Sequence, residues 1–553
     1  MPKLPLFFAA FLLLFIGIIG KLAYIQLFSS DTVSNNIYLK TERISPSRGL
    51  IFDRHGDPLA MNKTVYKLFA EPKNMTNKHA ALTKLDRVLH MGSATLEAKL
   101  FNDKQWVPVT SGLDLKTRRK VEKLNIKGLV FEEEEKRFYP EASVAAHLLG
   151  FVGKDDKAND VGYFGIEGYF NKDLGGLPGL VKSERDVFGK PIFIGVQDVV
   201  RGENGRDLTL TIDKTVQMIV KKHLKIAIEK FQAESGCVVI IDPYSGEVIA
   251  MSCLPDFDPD TYGKFPANLY ENPAVSIPFE PGSIFKPLIM AVALEEKVVK
   301  PTTKINETGR ITIGSYQIAN WDDKYKGVLT MTDVIKYSSN IGMVKVASKM
   351  KKETIQKYLQ AYGFGERSGI DLQGEAYGLV KNTKSWYPID QATIAFGQGI
   401  AVTPIQMIRA FASLVNGGWM VRPYTVLAMK SDSGTTLVKP ERVRRVISEK
   451  TSRQIRQMLA AAVEHGEVKW KIPKGYQFGG KTGTAQIPIE GHYDPTKTIA
   501  SFVGFVPLNK PRFIALVTLR KPATSQWGSE TAAPVFFDIA RELLVYYSIP
   551  QEQ

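Results

Sequence analysis

Cysteine is almost absent: Cys237 and Cys253 are the only two in 553 residues, which excludes a disulfide framework as the basis of the fold. Histidine is scarce as well. The seven present show no H-E-x-x-H or comparable spacing, and no G-x-S-x-G elbow occurs, so zinc chemistry and histidine-based hydrolysis have nothing to stand on. No dense basic arm and no nucleic-acid signature accompany the net charge of +15. That charge suits an anionic partner such as a membrane surface, a cell-wall polymer or nucleic acid, but because the basic residues are spread along the chain an ordinary basic surface is the favoured reading. Long disordered tracts and internal repeats are missing too. With 44% hydrophobic and 23% charged residues the chain is that of a folded protein, and its length predicts two to four domains.

The two cysteines flank Asp242-Pro243-Tyr244-Ser245-Gly246, a hairpin turn between apolar runs. A turn centred there sets Cys237 opposite Ser252, one residue short of Cys253, so two small buried thiols are expected in preference to a bridge. Residues 4–20 read LPLFFAAFLLLFIGIIG, and mostly apolar positions continue to Phe28. At about 1.5 Å per residue this run predicts one transmembrane helix over 4–28 behind a three-residue cytoplasmic stub. No small-x-small cleavage site follows it, which favours an uncleaved anchor over a signal peptide.

Residues 29–205 form a mixed, Gly-punctuated region with a candidate strand at 128–131 and a candidate helix at 80–89. The stretch 207–213, DLTLTID, alternates like a strand and leads into an amphipathic helix over 214–231, so the main boundary is expected at 205/206. Strands around 237–253, a mostly helical stretch over 283–416, strands at 501–506 and 512–519 and a last helix over 533–547 complete the chain. In the helical stretch Thr403-Pro404 opens a helix that Asn416-Gly417-Gly418 closes.

Three short motifs carry chemistry. In Glu280-Pro-Gly-Ser283-Ile-Phe-Lys286-Pro287, Ser283 and Lys286 stand at i and i+3 and share a face at a helix start, where Pro287 is tolerated and backbone N–H groups favour a developing anion. A serine needs a neighbour to take its proton, and a lysine does so when burial or a second cation lowers its pKa. A second S-x-x-K, Ser348 to Lys351, is placed inside a helix behind the capping box of Thr330 and Asp333, and its lysine is read as a solvated one. Ser338-Ser339-Asn340 is the second motif, with a helix cap or joint as the competing reading. The third is Gly479-Gly480-Lys481-Thr482-Gly483-Thr484. Its glycines clear room for a substrate backbone along a strand, and its lysine and threonines suit a carboxylate. Gly475 with Gly480-Lys481-Thr482 also fits the phosphate-binding loop, but Pro473 upstream and Pro488 downstream deny it the strand-loop-helix setting that loop requires.

Ser283-x-x-Lys286, Ser338-x-Asn340 and Lys481-Thr482-Gly483, in this order, resemble the signature set of penicillin-recognising serine enzymes. The whole chain is similar to class B penicillin-binding proteins. Arg48-Gly-Leu-Ile-Phe-Asp53-Arg54-His55-Gly56 matches their juxtamembrane motif with His55 where asparagine is usual, and Arg137-Phe-Tyr-Pro140, His147-Leu-Leu-Gly150, Gly165-Ile-Glu167, Arg185-Asp186, Phe396-Gly-Gln-Gly399 (Phe396 where tyrosine is common) and Ala500-Ser-Phe-Val-Gly504 extend the resemblance, nearest the septal branch.

The resemblance implies an α+β transpeptidase domain over 206–553, built on a five-stranded antiparallel sheet with helices on both sides. Before it come an elongated mixed α/β, dimerisation-type pedestal over 29–205 and one transmembrane anchor over 4–28. It implies a D,D-transpeptidase with no cofactor and no metal, and it gives the motif residues their roles. Ser283 is the nucleophile, Lys286 the proton acceptor and Ser338 a proton relay, while Asn340 bonds the substrate amide. Lys481, Thr482, Gly483 and Thr484 hold the substrate, with an oxyanion hole from the backbone N–H groups of Ser283 and Thr484. The implied partners are peptidoglycan stem peptides, β-lactams, the membrane, a polytopic glycan polymerase and other division proteins. The implied place is the bacterial cytoplasmic membrane with the catalytic domain outside. A β-lactam-hydrolysing or sensing protein and a non-catalytic division scaffold are the alternatives, and the expected hydrolase loop Glu-x-x-Leu-Asn is not found after the second motif.

Overall fold

The computed structural model describes residues 4–28, 39–184, 198–466, 469–489 and 492–552. Arg185-Asp186 of the resemblance lies outside them. Residues 7–27 of the helix Leu4–Phe28 form one exposed apolar span, long enough to cross a bilayer. Two compact units follow from the contacts. Residues 1–47 with 176–205 make one, which carries the three-stranded sheet of Leu39–Ile44, Gly179–Glu184 and Asp198–Val200; residues 48–175 with 206–553 make the other.

In the larger unit the strand Asp207–Leu210 lies between Ile51–Phe52 and Val426–Ser431, within a sheet that also holds Pro58–Ala70, Val107–Leu113 and Leu129–Phe138. The alternating DLTLTID run gives a strand that stops at Leu210. Asp213 instead caps the helix α1 (Lys214–Phe231), its side chain accepting from the N–H of Val216 at 3.1 Å.

Three of the family-like segments meet at one buried carboxylate. Glu167 takes Arg137 Nε at 2.7 Å and Arg48 Nε at 2.7 Å, and both guanidiniums continue to neutral oxygens, on Asn62 at 2.9 Å and Asn171 at 3.0 Å. Burial pushes the Glu167 carboxyl up, and the two arginines more than reverse it, leaving it below the ordinary carboxylate range. Glu167→Gln leaves two buried cations short of their partner. It is expected to cost about 3–5 kcal/mol, read as a lower urea midpoint, and a midpoint equal to the parent's would show that the triad contributes nothing.

The core of the larger unit is an antiparallel sheet of β1 (Ser235–Ile241), β2 (Val248–Leu254), β3 (Gly479–Ile489), β4 (His492–Val506) and β5 (Phe513–Arg520), in the order β2-β1-β5-β4-β3. Period-two alternation sends the side chains to opposite faces. Val238, Ile240, Phe502 and Val517 pack under α1 and the C-terminal helix Ala532–Tyr546, while Val239, Ile241, Val503 and Leu516 pack under the helical stretch that carries the first two motifs.

The outer edge of β2 is closed. Its Met251 peptide exchanges hydrogen bonds with the Gln217 amide at 2.7 and 2.8 Å, Ile249 O accepts from Asp213 N at 3.0 Å, and Val248 N donates to Tyr424 O at 3.0 Å. β3 at the other end pairs, among the described residues, with β4 alone.

The cysteine expectation is overturned. Cys237 and Cys253 are register partners and form a disulfide, with Sγ atoms 2.08 Å apart. The reason is a bulge: Ile240 faces Ala250 but Ile241 faces Val248, so the extra residue slides the far end of β2 by one position and brings Cys253, not Ser252, opposite Cys237. The second S-x-x-K is also placed differently. Thr330 and Asp333 do form a capping box, but their helix ends at Lys336; Ser348 is the C-cap of one later helix and Lys351 the N-cap of the next.

Candidate active site

The first motif opens as a tight turn. Residues Gly282–Phe285 form a 3-10 helix that runs straight into α2 (Lys286–Glu295), with Pro287 in its first turn. Lys286 N donates to Ser283 O in this turn, and three residues per 3-10 turn put i and i+3 on one face, so Ser283 and Lys286 share a side. This entry needs two glycines in left-handed backbone. Gly282 has φ +57 and donates its N–H to Gly397 O at 2.9 Å; Gly397 has φ +80, and a Cβ there would lie 2.2 Å from Gly282 O. The Phe396-to-Gly399 segment of the resemblance is thereby the seat of the Ser283 turn.

The second motif is a joint between two helices. The helix Met331–Lys336 ends with Ser338 N donating to Ile335 O at 3.2 Å and Ser339 N to Val334 O at 3.0 Å, with Ser338 left-handed at φ +57. This is the Schellman arrangement with serine in the place glycine prefers. Ser339 at once caps the next helix, α3 (Asn340–Ala347), its hydroxyl accepting from Gly342 N at 2.7 Å. The competing reading as a helix joint is therefore true of the same residues. The joint turns Ser338 and Asn340 toward Lys286.

Lys286 is fully buried, and its Nζ donates to Ser338 O at 2.5 Å and to Asn340 Oδ1 at 2.7 Å, with Ser338 Oγ 3.2 Å away. A neutral amine has two N–H groups for the two carbonyl oxygens and a lone pair left to face a hydroxyl. The electrostatics agree: burial, then the charge of Lys481, hold Lys286 well below the ordinary lysine range against the opposing pull of Glu307. Lys481 is itself 3% exposed and is lowered to about 7 by burial. The charge of Lys481 disfavours a second charge on Lys286.

Lys481 lies on β3 and touches Thr482 O at 3.1 Å. Ser283, Ser338 and residues 480–484 line one cleft of about 560 Å³, with Trp321 and Trp527 stacked edge-on at 5.1 Å on its rim. Lys286 and Asn340 sit beneath that lining, and the Asn340 amide is engaged by Lys286 and by Ala319 O at 2.9 Å. Thr484 Oγ1 accepts from Gly528 N at 3.1 Å. Strand β3 continues through Ile489 where a phosphate loop would need a helix.

The glycines of the third motif serve a different purpose from the one the sequence suggested. A Cβ at Gly479 would lie 2.1 Å from the Phe505 ring, at Gly480 2.7 Å from Phe502, and at Gly483 2.4 Å from Ser501 Oγ and 2.9 Å from Ile284. Their missing side chains make room for the protein's own core and for the Ser283 turn. Sequence reasoning missed Glu307 and Asn320, which lie behind the second motif, and the Trp321–Trp527 pair; none belongs to a spacing pattern that would have marked it.

A serine over a buried, deprotonation-prone lysine, beside a second lysine on the edge strand of a five-stranded sheet, defines an acyl-serine enzyme of the penicillin-recognising class. The description "Penicillin binding protein transpeptidase domain" matches residues 236–541, and "Penicillin-binding Protein dimerisation domain" matches residues 43–210. The chain is 34% identical to stage V sporulation protein D of Bacillus subtilis over 96% of this chain and 84% of that protein. It is 31% identical to peptidoglycan D,D-transpeptidase FtsI of Escherichia coli over 94% and 87%. The structure is similar to penicillin-binding protein 3 of Mycobacterium tuberculosis complexed with aztreonam, with a TM-score of 0.71, 25% identity and coverage of 93% and 98%. The chain belongs to the penicillin-binding protein transpeptidase family, in its class B.

Proposed function

We propose that the protein is a peptidoglycan D,D-transpeptidase of the septal type, acting through an acyl-Ser283 intermediate and open to acylation by β-lactams. The observation that carries the reading is the Lys286 amine, buried, held below its ordinary pKa and one 3-10 turn from Ser283. Ser283 Oγ attacks the carbonyl between the two terminal D-alanines of a stem peptide as its proton passes to Lys286. The C–N bond breaks, and Ser338 relays the proton to the departing D-alanine nitrogen. An amine from a neighbouring strand then attacks the ester, restoring the Ser283 hydroxyl.

The backbone N–H groups of Ser283 and Thr484 hold the oxyanion. The substrate lies along the free edge of β3, with its terminal carboxylate on Lys481, Thr482 and Thr484 and its amide on Asn340. A carboxylate arriving beside Lys481 stabilises the charged amine there and leaves Lys286 as the neutral one.

In this reading residues 206–553 are the catalytic domain, 29–205 the pedestal and 4–28 the single anchor in the cytoplasmic membrane. The Cys237–Cys253 disulfide supports an oxidising compartment, hence a catalytic domain outside the cytoplasm. Recruitment of a polytopic glycan polymerase and other division proteins falls to the pedestal and anchor. To test the enzyme reading, the protein is labelled with a fluorescent penicillin, digested and mapped, then given a D-Ala-D-Ala stem peptide with an amine acceptor. One long-lived adduct on the Ser283 peptide, with D-alanine release and a new peptide bond, is expected. Rapid penicillin turnover would instead make it a hydrolase, and a folded protein with no adduct would make it a scaffold.

A further inference from the structure

Glu307 is a buried acid that the three motifs do not use. It ends the strand Lys304–Glu307, is 1% exposed, and accepts hydrogen bonds from Ser339 Oγ, from Asn320 Nδ2 at 2.8 Å and from Lys326 N at 3.1 Å. Asn320 carries the contact onward, its Oδ1 accepting from Asn340 N at 2.9 Å and Ile341 N at 3.3 Å. The carboxylate and this amide thus hold the middle residue of the second motif and the start of α3.

None of the three donors is a cation, and no ion pair reaches Glu307 among the described residues. On the neighbouring loop 319–326, Lys324 and Lys326 contribute backbone groups to this network, and the Lys326 amine lies over the Tyr337 ring at 5.0 Å. Lys345 of α3 is bonded to Asn306 O. The positive group left within its influence is the buried amine of Lys286 on α2, which the field of Glu307 reaches. A buried anion with only neutral donors is stable where nearby positive charge offsets it.

We propose that Glu307 is a positioning residue of the acylation site: through Ser339 and Asn320 it fixes the Ser338-to-Asn340 turn over the Lys286 amine, and its charge acts on the proton that amine exchanges. The inference rests on Ser283 being the acylated residue. Removing the charge disfavours the protonated Lys286 amine, so the neutral base persists to lower pH, while loosening the turn lowers the rate at every pH.

The test is the rate of penicillin acylation against pH for the full-length parent, Glu307→Gln and Glu307→Asp. Glu307→Gln is expected to lower the plateau on the order of 10- to 100-fold and to move the rising limb toward acid by about half a pH unit or more. Glu307→Asp keeps the charge but withdraws it from Ser339, so its plateau falls while its midpoint stays. A Gln variant whose midpoint does not move, or an Asp variant at the parental plateau, overturns the proposal. If the Gln variant does not fold, the Asp variant decides alone. A parent that takes up no penicillin refutes the Ser283 reading instead, a result distinct from either.

Discussion

Ser283→Ala protein is expected to form no covalent adduct with penicillin, a loss on the order of 10⁴-fold or more in acylation rate. Alanine suits the 3-10 turn, and neither the Gly282–Gly397 contact nor Pro287 depends on the hydroxyl, so the fold persists and the loss is chemical. Ser338 also faces the cleft, but it lies in the left-handed joint between two helices and not on the Ser283 turn. Intact mass of the parent and variant after incubation reads the result. An adduct on the variant at the parental rate would place the nucleophile elsewhere, with Ser348 the first position to map.

Lys286→Met is expected to reduce acylation about 10²- to 10⁴-fold, the usual worth of a positioned general base, and to abolish the rising limb of the pH–rate profile. The same substitution has a second, opposite signature in stability. The folded-state pKa of Lys286 is depressed, so below it the folded protein bears the full cost of a charged amine in the core. That cost is relieved as pH rises from the depressed value toward the unfolded value near 10.5. Methionine never bears it. The stability of the variant relative to the parent is therefore expected to be most favourable at low pH and to decline through that window, in denaturant titrations across pH. A difference independent of pH would mean that Lys286 titrates normally, and the base would have to be sought elsewhere.

What the sequence makes legible is what lies within one turn of chain. The helix start that carries Ser283 and Lys286, the capping box of Thr330 and Asp333, the helix Pro404–Val415 and α1 all follow from neighbours in sequence and appear as expected. The protonation state of Lys286 does not, since it depends on Lys481, nearly two hundred positions away, and on a buried Glu307 that no motif flags. The glycines of the third motif were visible as a pattern, but their purpose lay in Phe502 and Phe505 on the next strand. The disulfide was hidden by one extra residue in a ladder: alternation gives the face a residue occupies, yet a single bulge changes which residue it meets.

The two rims of the main sheet are treated unequally. An unpaired rim is a template for any extended chain, and two such rims on one molecule allow copies to stack head to tail without limit. Here the β2 rim is sealed by Gln217, whose side-chain amide imitates a strand's peptide group, and by the backbone of Asp213 and Tyr424. With that side blocked, the rim of this sheet that a second copy can offer β3 is its own β3, a pairing that closes on itself, so fibre-like growth through this sheet stops at two copies. The rim of β3 can then stay exposed at the site of chemistry at little risk to solubility.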